Sequence, residues 1–212
     1  SVINYKNMAK ASWCNVSPMS GKGNGTLTIS AGAHGGRVAR NTVVTVTAAN
    51  GTKPSATVAV SQAGAGTSTT MEASKPAVAA TGGSVTINGT SNSSKLSWSC
   101  TATAMGIPTP LNDISVTVNG NRITSNTAIS GDPGASDRYN FVVTITVPRS
   151  VYPVNANVIF RMTDDAGAAK ECTFTWNAGA SSLSLDKSSL SLVNGGTGQT
   201  VNVTSNDDWN VS

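Results

Sequence analysis

The side chains able to do chemistry are few in this chain and stand apart from one another. His34 is the single histidine, set in the glycine-rich run 32–40 with no catalytic partner close in sequence. A general base needs a nucleophile and an orienting group within hydrogen-bond reach, so His34 reads as a solvated loop residue. Two carboxylate pairs, Asp164-Asp165 and Asp207-Asp208, have the composition of an acid/base pair or of calcium ligands. Each falls at a hairpin tip or strand end, where Asp bonds its own backbone and shapes the turn, and the turn reading is preferred. Phosphate-cradling glycine motifs, a nucleophile elbow and paired Cys/His metal spacings are all missing. The expectation is a protein that is not an enzyme and takes no metal or cofactor.

The three cysteines are Cys14, Cys100 and Cys172. With a strand period of two, Leu96, Trp98 and Cys100 share one face, as do Cys172, Phe174 and Trp176. Cys100 and Cys172 therefore point inward from strands distant in sequence. Two readings stand. One is a disulfide across the core, with Cα atoms within roughly 4.4–6.8 Å and an oxidising compartment around it. The other is a pair of free thiols packed as small hydrophobes.

The elements that must position these residues read as strands throughout. Charged residues are 11% and aromatics 5% of 212 residues, and apolar periodicity at three and four residues is absent, so little helix is expected. Alternation predicts strands near 12–17, 26–31, 42–48 and 56–61, with an Asn50-Gly51 hairpin. After the linker 64–70 it predicts strands near 84–88, 95–103, 114–118, 139–147, 157–163 and 170–176, and a further one at 72–78. Turns every eight to twelve residues make this middle segment, 71–178, an immunoglobulin-like sandwich with Trp98 and Trp176 in its core. Strands near 183–186, 189–193 and 199–205 follow, and then the sequence stops.

Net charge is +4, from 14 basic and 10 acidic side chains, with no basic run or aromatic interleaving; nucleic-acid binding is not expected. No stretch approaches the roughly 18 apolar residues of a membrane span. The first residues lack the layout of a signal peptide. An export signal has been removed, or none was carried, or position 1 is a cut in a longer repeating chain.

The two ends complement each other. Segment 182–212 opens a sandwich repeat that breaks off after Trp209, and segment 1–64 supplies the strands it lacks. Ser12-Trp13-Cys14-Asn15-Val16-Ser17-Pro18, the Ser20-Gly21 turn, Thr26-Leu27-Thr28-Ile29, Arg40 before Thr42-Val43-Val44-Thr45-Val46, the closing Val60-Ser61-Gln62-Ala63-Gly64 and Trp209-Asn210-Val211-Ser212 carry the pattern. These residues resemble the BACON family (Bacteroidetes-associated, carbohydrate-binding, often N-terminal). The resemblance implies secreted or surface proteins of gut-type bacteria, or tail and fibre proteins of their phages. It carries over no binding residue, and the order departs from the family, with the second half preceding the first.

The sequence therefore predicts an all-β chain of tandem immunoglobulin-like sandwiches, the terminal one split between 1–64 and 182–212. The expected function is structural: a subunit or repeat of an extracellular fibre, filament or virion appendage, completed head-to-tail by strand addition. Val201, Val203 and Trp209 of one unit would pack on Trp13, Leu27 and Ile29 of the next. The alternative is a glycan-binding or adhesion module at a cell surface or on a phage fibre. Only Tyr5, Tyr152, Trp13 and Trp209 remain for stacking on sugars, and the ligand itself is unknown.

Overall fold

The structure, a computed structural model, describes residues 9–212. It is all-β, with no helix among these residues. At the start of the chain stand β1 (Cys14–Ser17), β2 (Thr28–Ala31), β3 (Arg40–Thr47) and β4 (Ser55–Gln62). They form two separate antiparallel ribbons, β1 with β2 and β3 with β4. At the other end β15 (Leu183–Leu185) pairs with β16 (Val203–Ser205) in a third ribbon.

Between them lie the ten strands that hold the core. These are β5 (Thr69–Met71), β6 (Gly83–Ser91), β7 (Lys95–Ala104), β8 (Ile107–Pro110), β9 (Ile114–Val118), β10 (Asn121–Ile123), β11 (Thr127–Ala128), β12 (Tyr139–Val147), β13 (Ala156–Asp164) and β14 (Ala169–Trp176). One sheet has the order β10-β9-β12-β6-β5; the other runs β11-β7-β13-β14, with β8 on β7. Alternation drives the packing. Tyr139, Phe141, Val143, Ile145 and Val147 of β12 face Ala156, Val158, Phe160 and Met162 of β13 in one cluster spanning Val78 to Trp176. Each fully buried side chain of this size contributes about 1.5–3 kcal/mol. Asn119 (φ 47°) and Gly120 (φ 82°) both adopt left-handed backbone in the β9–β10 turn, as an Asn-Gly hairpin requires.

Several strands differ from expectation. Residues 72–78 make only isolated parallel bridges, Ser74 to Thr173 and Val78 to Trp176, and 189–193 form no strand. The short β8, β10 and β11 carry too few residues for alternation to reveal them. His34 is not solvated: it is buried, and its Nε2–H donates to the Val38 carbonyl at 2.8 Å.

The pairing of Cys100 with Cys172 is corrected. Both are free and buried. Both sit opposite Phe160, one on each side of β13. Two strand spacings separate them by about 10 Å, beyond disulfide reach. They face the core from one sheet, not across it from two. Burial, and secondarily Cys172, pushes the Cys100 thiol up to about 12.

Candidate assembly surfaces and the joints that carry them

Two exposed apolar faces stand out among the described residues. The first is a groove of about 910 Å³ between the two ribbons at the start of the chain. Val16 and Leu27 line it from one ribbon, and Val44, Val46 and Ala56 from the other. Leu27, Val46 and Val58 remain two-fifths to one-half exposed, though they lie on strand faces that alternation marks as inward. In a two-stranded ribbon each strand has a single partner, so each of these ribbons keeps two free edges. The second face is the β15–β16 ribbon and the chain around it, where Leu183, Leu185, Leu190, Leu192, Val193 and Trp209 are all exposed.

The candidate assembly residues fall as follows. Leu27 lines the groove. Ile29 is half-buried across from Val16. Trp13 carries the Arg40 guanidinium 4.6 Å from its ring centroid. Arg40 Nε donates to Gln62 Oε1 at 2.9 Å, and Gln62 Nε2 to the Gly32 carbonyl at 2.7 Å. That relay ties β1, β3, β4 and the glycine loop together. In the tail, Val203 pairs with Leu185, Val201 is half-buried, and Trp209 is 50% exposed. No strand pairing joins the two sets among the described residues.

What holds them apart is a pair of polar joints that sequence reasoning missed. At the first, Asn92 is fully buried. Its Nδ2 donates to the Gly35 and Gly66 carbonyls at 3.0 and 2.6 Å, and its Oδ1 accepts from Ser68 N at 2.8 Å. Arg37 donates to the Asn92 carbonyl and forms an ion pair with Asp132. Gly35, Gly36 and Gly134 have no room for a side chain, because backbone or side-chain atoms of the facing loop occupy it. At the second joint Asn206 Nδ2 donates to the Val151 and Ala180 carbonyls, both at 3.1 Å, and its Oδ1 accepts from Ser182 N at 2.8 Å. Arg138 and Tyr139, at the start of β12, reach Ser68 and Ser93 beside the first joint. Val147 ends the same strand near Gly82, whose loop accepts from Ser150 beside the second. The joints therefore lie at opposite ends of β12, about 26 Å apart at about 3.3 Å per residue.

The carboxylate pairs serve turns. Asp164 Oδ1 accepts from Ala166 N and Ala168 N, and Asp165 Oδ2 accepts from Ser94 N and Oγ. Burial opposes ionisation of Asp165, but these donors hold it below the usual carboxylate range. Asp207 accepts from Ser181 Oγ and Asp208 N. Of the aromatics left for sugar stacking, Tyr152 packs edge-on to Trp176 at 5.5 Å and Trp13 is covered by Arg40; Tyr5 lies outside the described residues.

The comparisons bear on the first segment. Residues 4–63 match the BACON family, described as "Putative binding domain, N-terminal". No curated protein matches the chain. Among solved structures, a family 123 glycoside hydrolase from Clostridium perfringens, studied for glycolipid glycan hydrolysis, is 13% identical at a TM-score of 0.36. The alignment covers 54% of this chain and 27% of that one. BcpA, the major pilin subunit of Bacillus cereus, is 10% identical at a TM-score of 0.30, over 66% of this chain and 53% of the pilin. The chain thus spans about a quarter and about half of these two proteins. Likeness at this distance bears on neither function nor assembly.

Proposed function

We propose that this chain is a non-catalytic structural subunit or repeat of an extracellular fibre, filament or virion appendage. In this reading it divides into 1–64, 71–178 and 182–212. The terminal segments are the second and first parts of one BACON-like immunoglobulin-like sandwich, and each is completed by a neighbouring unit through strand addition. The observation that carries it is the pair of open apolar faces, groove and tail, held by hydrogen-bonded joints at opposite ends of the middle sandwich. Folding back would need the chain to return about 26 Å plus the depth of both ribbons, while a six-residue linker reaches about 20 Å. A contact that joins two different faces is heterologous and propagates as an open filament where its rotation does not close a ring.

The test is deletion of residues 182–212. The intact chain should form linear assemblies under the electron microscope, and the truncated one should not. Assembly by the truncated chain refutes the proposal.

The family's description as a binding domain favours one further reading, a glycan-binding or adhesion module. Of the three named aromatics among the described residues, Trp209 is the one left open to a sugar. Saturable binding to a defined oligosaccharide below about 10 μM, a gain near 7 kcal/mol, would favour it, and Trp209→Ala should then abolish that binding.

A further inference from the structure

Charge is segregated along the chain in a way that the modest net value conceals. Residues 1–64 hold six basic side chains (Lys6, Lys10, Lys22, Arg37, Arg40 and Lys53) and not one carboxylate. Residues 65–181 hold seven of each sign and are neutral. Residues 182–212 hold Asp186, Asp207 and Asp208 against Lys187. The head is thus +6, the middle 0 and the tail −2.

The structure puts part of this charge at the open groove. Lys10 lines it, Lys22 sits between the lining residues Gly21 and Gly23, and Lys53 precedes the lining residue Pro54. The turn joining β1 to β2 and the turn joining β3 to β4 converge there. Among the described residues the ammonium groups of Lys22 and Lys53 meet no hydrogen-bond or ion-pair partner, whereas Arg37 and Arg40 are committed to Asp132 and Gln62. In the tail, Asp186 is taken up by Asn202 and Asp207 by Ser181. Asp208 carries no side-chain partner among the described residues and directly precedes the exposed Trp209.

We propose that the groove's occupant is the acidic tail of a second copy, steered in by Asp207 and Asp208 toward Lys10, Lys22 and Lys53. This rests on the head-to-tail reading above and adds what selects the partner and the orientation. Head meeting head sets +6 against +6, so the charge pattern rejects the wrong join as well as favouring the right one. Complementary charge of this kind acts on the association rate and is screened by salt, since the Debye length falls from about 30 Å at 0.01 M to about 3 Å at 1 M.

The experiment follows assembly of the full chain by light scattering from 0.01 to 0.5 M NaCl, alongside the variant Asp207→Lys/Asp208→Lys. The expected result is at least a tenfold slower rate at high salt, and a similar slowing by the variant at low salt. Mixing that variant with Lys22→Glu/Lys53→Glu chains should restore the rate. Thermal melting of each variant checks that its fold is intact. Assembly that is indifferent to salt and to charge reversal overturns this inference and leaves the head-to-tail reading standing. Absence of assembly at every salt concentration removes both. Heparin binding at the head, with charge-reversed tails assembling normally, assigns the basic groove to an acidic polysaccharide and also overturns it.

Discussion

Phe160 organises the chemistry of the two core thiols more than any property of the cysteines themselves. Its ring lies in the row Cys100–Phe160–Cys172 across one sheet, which makes the thiols small packing groups. They should resist alkylation in the native state at pH 8 and react only on unfolding, and the melting temperature should not change on adding a reductant. Phe160→Ala should cost about 3–5 kcal/mol, read by chemical denaturation. Burial also pushes the Tyr139 hydroxyl up to about 12 from an ordinary 10.0, and Cys100 to about 12 from 9.0. Groups whose folded values are raised stabilise fully below the unfolded value and lose that contribution as pH rises toward the folded one. Stability should therefore be insensitive to these groups up to about pH 9 and fall between pH 9 and about 12. A flat melting temperature across that interval would contradict the burial argument.

The loops between strands, more than the strands, set how the parts of this chain are held. Asn92 satisfies two carbonyls and one amide of the segment on either side of it. Asn92→Ala leaves those groups without partners, at about 1–3 kcal/mol for a buried unsatisfied group. The expected outcome is faster amide exchange at Ser68 and Ala65, with β12 and β13 unaffected. Arg37→Ala should loosen the same joint less, because its ion pair with Asp132 is partly exposed. Small-angle scattering would then show a broader distribution of head orientations for Asn92→Ala than for the parent chain. An unchanged distribution would mean that Arg37 and the glycine contacts hold the joint without the Asn92 side chain.

Exposed apolar faces at the groove and in the tail make the chain's solubility a matter of concentration. On the proposed head-to-tail reading, the dilute chain should bind a dye such as ANS through its groove and tail, and that signal should drop as concentration rises and assemblies form. Chains lacking 182–212 should keep the dye signal at all concentrations, because the groove stays open. A patch of several exposed large hydrophobics is uncommon on a monomer unless it marks an interaction site. Here two such patches with opposite net charge occupy opposite ends.

Period-two alternation made the long strands legible from residues alone, since β12 and β13 bury every second side chain with the regularity a two-layer core demands. The turn at Asn119-Gly120 follows from local backbone chemistry, both residues taking left-handed φ. Other features depend on which strands become neighbours, and no local signal encodes that. Cys100 and Cys172 read as inward-facing from their own strands, which left a disulfide and two packed thiols both open; β13 lying between them decides for the thiols. Arg37 meets Asp132 across 95 residues, Asn92 meets Gly35 across 57, and Asn206 meets Val151 across 55. A lone arginine or asparagine in a glycine-rich loop carries no periodicity, so its role emerges only when folding brings two distant loops together and leaves their backbone groups in need of a donor or acceptor.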